Sequence, residues 1–305
     1  MKRDFLSIAD WSAEELTGLL DLSRKIKEYP ANYRSALAGK SIAMIFEKQS
    51  LRTHVTFDVG IFQLGAHAIY LTQGDISLGK RESVYDTAKN LERWVDSAVI
   101  RTFAHKTCVD MAKHMKSPVV NALTDYEHPC QAVGDFLTVI EKFGSVKGRK
   151  FVFIGDGNNV CNSLMIMAAK LGMDFTAATP KQYAPDNNVL KIAATAAKKN
   201  GAKIDVSHKP KDAVKNADVI YTDVWTSMGQ EAEKEIRLKA FKDFQVNAKL
   251  MSIAKPKAIF MHCLPAHRGE EVTDEVMDSK QSVVFDEAEN RLHTQKAVLV
   301  TLLKG

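Results

Sequence analysis

Short runs of β-branched and other apolar residues alternate along the chain with longer segments whose apolar residues recur at helical spacing. The runs are, in order, SIAMIF, HAIYLT, SAVIRTF, PVVNAL, KFVFIGD, DFTAAT, KIDVSH, DVIYTDVW, AIFMHC and SVVFDE. Strands that alternate with helices form parallel sheets, because the chain has to cross back over the sheet before each new strand. The pattern therefore predicts an α/β protein of two similar domains, each a parallel β-sheet flanked by helices, joined by bridging helices.

One helical segment, CQAVGDFLTVIEKFG, separates the first four runs from the other six. We expect it to bridge the domains, so that residues 1–133 form the first domain and residues 134–288 the second. The last segment, ENRLHTQKAVLVTLL, predicts a helix over 289–305 that packs back on the first domain. Ser12 and Glu15 have the spacing of a capping box and predict the start of the first helix.

The composition is that of an ordinary globular protein, with 305 residues, 45% apolar and 26% charged. No apolar run reaches the roughly 18 to 20 residues of a membrane span, and the N-terminus turns acidic before a signal-like segment forms. The four cysteines lack C-x-x-C spacing, which suits reduced thiols. We therefore expect a cytoplasmic protein without a membrane partner. A net charge of +5 without long basic runs argues against nucleic acid and fits an anionic small-molecule substrate.

Polar residues follow the first strand of the predicted sheet. Ser50, Leu51, Arg52 and Thr53 come after SIAMIF and open a helix. Backbone N–H groups and the positive end of the helix make such a start an anion site. Arg52 adds a fork of donors that suits phosphate, and the two hydroxyls add further hydrogen-bonding groups. A capped helix with a surface arginine is the alternative interpretation.

Two further strands of the first series carry polar groups. Arg101 lies among apolar residues in SAVIRTF, where its charge needs an anion or a carboxylate partner. His128 and Gln131 follow PVVNAL at i, i+3 spacing, which aims both side chains the same way. A lone histidine at a helix start is more often a cap or a core residue, so the tetrad HPCQ supports a role here rather than His128 alone.

The turn GDGNNV follows a strand and suggests a dinucleotide site at first. The third glycine of that fingerprint is replaced by Val160, and no acid ends the next strand to bind a ribose hydroxyl. A nicotinamide-dependent dehydrogenase would also leave HPCQ and DVWTSMG unexplained. Two requirements of the dinucleotide fingerprint thus fail, and turn chemistry accounts for the glycines and for Asn158.

The second series ends two strands with reactive side chains. Asp223 begins DVWTSMG, where its carboxylate either binds a ligand or caps a helix. The run HCLPAHRGEEV presents His262, Cys263 and His267 where a buried strand surfaces. These three could be metal ligands, but their spacing matches no recognised zinc pattern.

Together, SLRTH, HPCQ, GDGNN, DVWTSMG and HCLPAHRGEEV resemble the motifs of the carbamoyltransferases, most closely the ornithine carbamoyltransferases, over nearly the whole chain. The resemblance implies an enzyme of arginine metabolism that transfers the carbamoyl group of carbamoyl phosphate to L-ornithine without a metal or organic cofactor. It also implies a homotrimer in which a loop, here Gln73–Ser83 with Ser77, reaches the neighbouring subunit's site.

The resemblance implies a role for each motif residue. The residues expected to bind carbamoyl phosphate are Ser50, Leu51, Arg52, Thr53, Arg101, His128, Gln131, Cys263, Leu264 and Arg291, of which Arg52, Arg101, His128, Cys263 and Arg291 are expected to act in catalysis. The residues expected to bind ornithine are Asn159, Asp223, Ser227 and Met228. The Leu264–Pro265 bond is expected to be cis. A helix-surface salt bridge is the alternative role of Arg291.

The chain departs from the family pattern S-T-R-T-R at two positions, with Leu51 for threonine and His54 for the second arginine. A hydroxyl and a fixed charge are lost, while Arg52 is retained. These departures leave open a paralogue that binds carbamoyl phosphate without turnover. Within the enzyme class, a putrescine or N-acylated ornithine enzyme is the runner-up.

Overall fold

The computed structural model describes residues 2–76, 78, 82–227 and 229–304. The chain divides into two compact units, one formed by Met1–Leu137 with Glu289–Gly305 and the other by Thr138–Ala288. Within the described residues, no helix is long and apolar enough to cross a membrane.

The first unit contains a four-stranded parallel sheet. Its strands are β1 (Ser41–Phe46), β2 (His67–Thr72), β3 (Ser97–Arg101) and β4 (Val119–Leu123), in the order β2-β1-β3-β4. Its helices are α1 (Ala13–Glu28), α2 (Leu51–Gln63), α3 (Gln73–Ile76), α4 (Val84–Trp94) and α5 (His105–His114), with short 3-10 helices at Ile8–Asp10 and Pro30–Tyr33. The strands β1 and β3 read as continuous apolar runs because they are central and covered on both faces.

Two features of the first unit involve its N-terminal segment. The predicted capping box is present, since the Ser12 hydroxyl accepts from the Glu15 N–H and the Glu15 carboxylate accepts from the Ser12 N–H. Phe5 pairs with Val120, so the N-terminal segment covers the outer edge of β4.

A helix, α6 (Pro129–Phe143), continues from the first unit into the second. The second unit contains a five-stranded parallel sheet of β5 (Lys150–Ile154), β6 (Asp174–Ala178), β7 (Ile204–Ser207), β8 (Val219–Thr222) and β9 (Ile259–His262), in the order β7-β6-β5-β8-β9. Its helices are α7 (Asn159–Leu171), α8 (Asn187–Asn200), α9 (Pro210–Ala213), α10 (Lys234–Phe241), α11 (Ala248–Met251) and α12 (Asp274–Met277), with 3-10 helices at Lys181–Tyr183, Glu231–Glu233 and Lys242–Phe244. The chain leaves this unit through α13 (Val284–Leu303).

The prediction that SVVFDE is a strand is wrong. Ser282 makes only an isolated bridge to Phe260, and α13 begins at Val284, five residues before the predicted start at 289. A short β-branched run is ambiguous between a strand and the start of a buried helix. Here Val283 and Val284 are buried at the start of α13, and they do not form a sixth strand.

One histidine of α13 makes stability depend on pH. Burial of His293, with the charges of Lys296 and Lys27, lowers its pKa to about 4. The unfolded chain therefore binds the proton more readily, so this contribution to stability is complete above pH 6.5 and is lost as the pH falls toward 4.

We expect the free energy of unfolding to fall by up to about 1.4 kcal/mol per pH unit over that window through this group alone. Urea midpoints between pH 7 and 4.5 measure the slope. The free energy of unfolding should depend less steeply on pH in His293→Gln than in the parent. In His67→Gln, which changes an exposed histidine, the pH dependence should equal that of the parent. Equal slopes in all three proteins would exclude His293 as the source.

Candidate active site

The start of α2 lies at the carboxyl end of β1 in the first unit. Ser50 caps this helix, and its hydroxyl accepts from the Thr53 N–H at 3.1 Å. Arg52 is half-buried in the first turn. The helix is therefore capped, as the simpler interpretation required, and it also presents its positive end at the edge of the sheet where α/β proteins bind ligands.

The hydroxyl of Thr53 lies beside two guanidinium groups. Arg291 Nη2 donates to Thr53 Oγ1 at 2.6 Å, and Arg101 Nη1 approaches the same oxygen at 3.4 Å. All three residues are buried. Two positive charges on one neutral oxygen create a strongly positive local potential, which favours an anionic ligand. The interpretation of Arg291 as part of a helix-surface salt bridge is wrong, because only 3% of this residue is exposed.

His128 lies directly before α6, whose first residue is Pro129. Burial, together with the charges of Arg291 and Arg101, holds the pKa of His128 well below the usual range of histidine. The imidazole is therefore neutral at physiological pH, and a neutral imidazole carries one N–H donor. The preceding residue, Glu127, is fully buried and accepts from the Ile8 N–H at 3.1 Å and from the Ser7 hydroxyl, which fastens this loop.

In the second unit, one carboxylate joins three of the sequence motifs. Asp223 follows β8, and its Oδ2 accepts from Asn158 Nδ2 at 2.8 Å. Its Oδ1 accepts from Cys263 Sγ at 3.1 Å and from the Val224 N–H at 2.8 Å. Only 7% of Asp223 is exposed, whereas Cys263 is half-buried. The turn GDGNN, the run DVWTSMG and the run HCLP thus meet at Asp223.

The two neighbouring asparagines of GDGNN do different things. The Asn158 side-chain oxygen caps α7 by accepting from the Val160 and Cys161 N–H groups, and its amide nitrogen reaches Asp223. Asn159 is the first residue of α7 and its Oδ1 accepts from the Val160 N–H at 3.0 Å. The sequence predicts only a turn role for Asn158, because no local pattern indicates its contact with Asp223.

The remaining predicted contacts to ornithine lie on the loop after β8. The Ser227 N–H donates to Gln230 Oε1 at 3.1 Å, so this loop folds on itself. Met228 lies outside the described residues.

His262 organises the HCLP turn. Its Nδ1 accepts from the Leu264 N–H at 2.9 Å, so the proton is on Nε2, which donates to Glu271 Oε1 at 3.1 Å. Leu264 has a left-handed φ of 58°, unusual for a residue other than glycine, and the Leu264–Pro265 bond is cis, as predicted. From the sequence, His262 is only a possible metal ligand, and its hydrogen bond to Leu264 is not predicted.

The hydrogen bonds of the His262 imidazole also show whether this residue could bind a metal. The ligand atoms of Asp223, His262 and Cys263 lie within 4.8 Å of one another, as do those of His267, Glu270 and Glu271. Because Nδ1 of His262 accepts a hydrogen bond and Nε2 carries a proton, this imidazole has no lone pair ready for a metal. The geometry of the first cluster therefore favours a hydrogen-bonded turn over a metal centre.

A buried arginine that sequence reasoning missed supports the second unit's loops. Arg237 Nη1 donates to Asp156 Oδ2 at 2.7 Å and to the Trp225 carbonyl at 3.0 Å, and its guanidinium lies over the Tyr183 ring at 4.7 Å. The GDGNN turn and the DVWTSMG run are thereby tied to one side chain. The helical segment around Arg237 reads as polar, and only the folded chain brings it to Asp156, 81 residues away.

Comparisons with known proteins agree with the motifs. The model described as the carbamoyl-P binding domain of aspartate/ornithine carbamoyltransferase matches residues 3–141, and the model of the Asp/Orn binding domain matches residues 147–302. The ornithine carbamoyltransferase of Pyrococcus horikoshii is 52% identical over 305 residues, covering 99% of this chain and 96% of the relative. The structure of the ornithine carbamoyltransferase from Pyrococcus furiosus has a TM-score of 0.97 and 51% identity, covering 100% of this chain and 98% of that one. A structure of acetylornithine transcarbamylase complexed with acetylcitrulline has a TM-score of 0.90 and 33% identity, covering 99% of both chains.

The chain belongs to the aspartate/ornithine carbamoyltransferase family. The predicted family, the two-domain α/β fold and the prediction of a carbamoyltransferase are thereby confirmed. The acetylornithine enzyme has the same fold, so the fold alone does not identify the amine substrate of a carbamoyltransferase.

Packing explains Gly157 of GDGNN without a dinucleotide. A Cβ atom added to Gly157 would lie 2.4 Å from the Pro185 nitrogen. This glycine is therefore required by the close approach of residues 184 and 185, rather than by a bound pyrophosphate.

The two residues that depart from the carbamoyltransferase pattern, His54 and Leu51, both lie on α2 in the first unit. The His54 ring stacks on Tyr70, with centroids 3.7 Å apart and planes 6° from parallel. Leu51 is 74% exposed, so its side chain is not held by packing within the unit. Its backbone N–H belongs to the first turn of α2, where N–H groups have no acceptor within the helix.

Leu51→Thr should therefore tighten carbamoyl phosphate binding only slightly, by roughly 0.5 to 1.5 kcal/mol for one added hydrogen bond. Carbamoyl phosphate affinity, measured by calorimetry on parent and variant, checks this. Leu51→Ala is the control, because it removes the exposed side chain without adding a hydroxyl and should leave the affinity unchanged. A marked loss of affinity in Leu51→Thr would mean that this loop binds phosphate in a geometry different from the family's.

Proposed function

We propose that this protein is an ornithine carbamoyltransferase that uses the residues above to make L-citrulline and phosphate from carbamoyl phosphate and L-ornithine. The observation that carries the proposal is the pair of buried arginines, Arg101 and Arg291, on the Thr53 hydroxyl beside the neutral His128. Carbamoyl phosphate brings a phosphate dianion and a carbonyl oxygen that gains negative charge during attack. The cluster supplies fixed positive charge and one neutral donor for those two groups.

The chemistry in the first unit follows from these charges. Arg52 and the N–H groups at the start of α2 bind the phosphate, with the hydroxyls of Ser50 and Thr53 nearby. Arg101, Arg291 and the N–H of His128 polarise the carbamoyl carbonyl, and they stabilise the oxyanion as the δ-nitrogen of ornithine bonds to the carbamoyl carbon. The carbon–oxygen bond to phosphate then breaks. The neutral imidazole of His128 retains one N–H, which is the donor that this role requires.

The amine side of the reaction is assigned to the second unit. Asp223 is a buried carboxylate suited to the α-ammonium group of ornithine, and the amide of Asn159 and the hydroxyl of Ser227 are suited to the amino-acid end. Met228 belongs to this assignment by resemblance. Leu264, whose N–H is fixed by His262, presents its carbonyl to the reacting nitrogen, and that nitrogen loses a proton in the reaction. Either the Cys263–Asp223 pair or the departing phosphate accepts that proton.

We propose a homotrimer in the cytoplasm in which Gln73–Ser83 contributes to the neighbouring subunit's phosphate site. This segment begins with the short helix α3, and Ser77 lies outside the described residues. The proposed carbamoyl phosphate domain is 1–133 with 289–305, and the proposed ornithine domain is 134–288.

A citrulline colour assay run in parallel with ornithine, putrescine and N-acetylornithine tests the function. Citrulline from ornithine, with little product from the other two amines, is the expected result. Turnover only with N-acetylornithine or only with putrescine would show that this other amine, and not ornithine, is the substrate. No turnover with any amine, in a protein that still binds carbamoyl phosphate, would identify a binding paralogue instead. Light scattering of the same protein tests the trimer.

A further inference from the structure

A buried carboxylate lies one helical turn from the glutamine of HPCQ. Gln131 Nε2 donates to Asp135 Oδ1 at 2.7 Å, and the two residues are 1% and 0% exposed. Both lie on α6, four residues apart, so their side chains share one face of the helix. Gly134 is on the same face, and a Cβ added there would lie 3.3 Å from the Arg291 side chain. This face of α6 therefore adjoins Arg291 of the cluster described above.

The carboxylate determines which end of the Gln131 amide faces it and which end faces away. A side-chain amide has a donor end and an acceptor end, and the two are nearly the same shape. A carboxylate only accepts, so the NH2 end of Gln131 faces Asp135 and its carbonyl end is directed elsewhere. Without this carboxylate, the amide oxygen and nitrogen of Gln131 could exchange positions.

We propose that Asp135 is a positioning residue that fixes the Gln131 amide so that its carbonyl oxygen accepts from the NH2 of the carbamoyl group. This inference rests on the proposed function. It makes Asp135, which does not itself touch the substrate, a determinant of selectivity for a carbamoyl over an acetyl group. Acetyl phosphate has a methyl group in place of that NH2, so the Gln131 carbonyl gives it no hydrogen bond.

The test measures the affinities of carbamoyl phosphate and acetyl phosphate for the intact protein, without any amine. Asp135→Asn is nearly isosteric but presents either a donor or an acceptor to Gln131. We expect its carbamoyl phosphate affinity to fall about five- to 150-fold, the range for a buried polar group that loses its hydrogen bond, while its acetyl phosphate affinity stays within about twofold of the parent. Asp21→Asn, an exposed change on α1, should alter neither affinity. If the asparagine variant does not fold, Asp135→Ala provides the same comparison.

A double-mutant cycle separates positioning from a structural role. Gln131→Ala should cost as much carbamoyl phosphate affinity as Asp135→Asn, and combining the two should cost no more than either. Equal losses for both ligands, or additive losses in the double variant, would overturn the inference. A parent that binds carbamoyl phosphate but makes no citrulline would refute the proposed function while leaving this binding test intact.

Discussion

Arg52→Ala should lower kcat/KM for carbamoyl phosphate by about 30- to 1000-fold, which corresponds to roughly 2 to 4 kcal/mol of transition-state stabilisation. Arg52 lies in the first turn of α2, where its charge adds to the positive end of the helix. The substitution leaves the contacts of Thr53 with Arg101 and Arg291 in place, so the loss should come from the phosphate side of the substrate. Initial rates of citrulline formation at varied carbamoyl phosphate measure it.

A matched control is Arg24→Ala on α1, whose side chain is 59% exposed. This variant removes the same charge from the protein and should keep the parent's rate within about twofold, since exposed surface charges contribute little. If Arg52→Ala stays within threefold of the parent, then the start of α2 is not the phosphate site, and the anion bound by Arg101 and Arg291 has to be assigned differently.

The second large effect concerns the amine. Putrescine lacks the α-carboxylate of ornithine but keeps an ammonium group for Asp223, so it would leave the polar groups that Asn159 and Ser227 present to the amino-acid end without partners. A site built to hydrogen-bond a substrate group can reject an analogue without that group by as much as about 10⁴ to 10⁵ fold. We therefore expect a preference for ornithine of about 100-fold or more in kcat/KM, measured by steady-state kinetics on both amines.

Asn159→Ala should narrow this preference by weakening the use of ornithine, while the poor putrescine rate stays nearly the same. Asn187→Ala is a close control, because Asn187 is the exposed first residue of α8, just as Asn159 is the first residue of α7. Equal efficiency of the parent on the two amines would remove the ornithine assignment. An unchanged ratio in Asn159→Ala would remove that residue from the pocket.

The periodicity of the sequence was sufficient to predict most of the fold. Nine of the ten predicted strands form, in two parallel sheets, because buried parallel strands are short apolar runs separated by helical segments. SVVFDE fails because its valines are equally suited to the buried start of α13. No local property of the sequence distinguishes these outcomes, since the difference lies in what packs against the segment.

The candidate site was predicted in part for a similar reason. Residues at strand ends, such as Arg101 and Asp223, could be found because a parallel sheet brings the carboxyl ends of its strands to one edge. The residues behind them could not. Asp135 reads as an ordinary polar residue of a helix, and Arg237 reads as part of an exposed one. Their partners, Gln131 and Asp156, became apparent only in the folded chain.

The bond between Arg291 and Thr53 also has a consequence for the order in which the protein becomes functional during synthesis. The two residues are 238 positions apart in the chain. At about 5 to 20 residues per second, a ribosome needs roughly 10 to 50 s to add Arg291 after Thr53. Once Leu123 has been added, the nascent first unit has all its sheet residues, but until Arg291 follows it lacks one of the two guanidinium groups on Thr53 and the helix that carries it. The pair of guanidinium groups on Thr53 is therefore completed only when α13 docks, after the rest of the first unit has been synthesised.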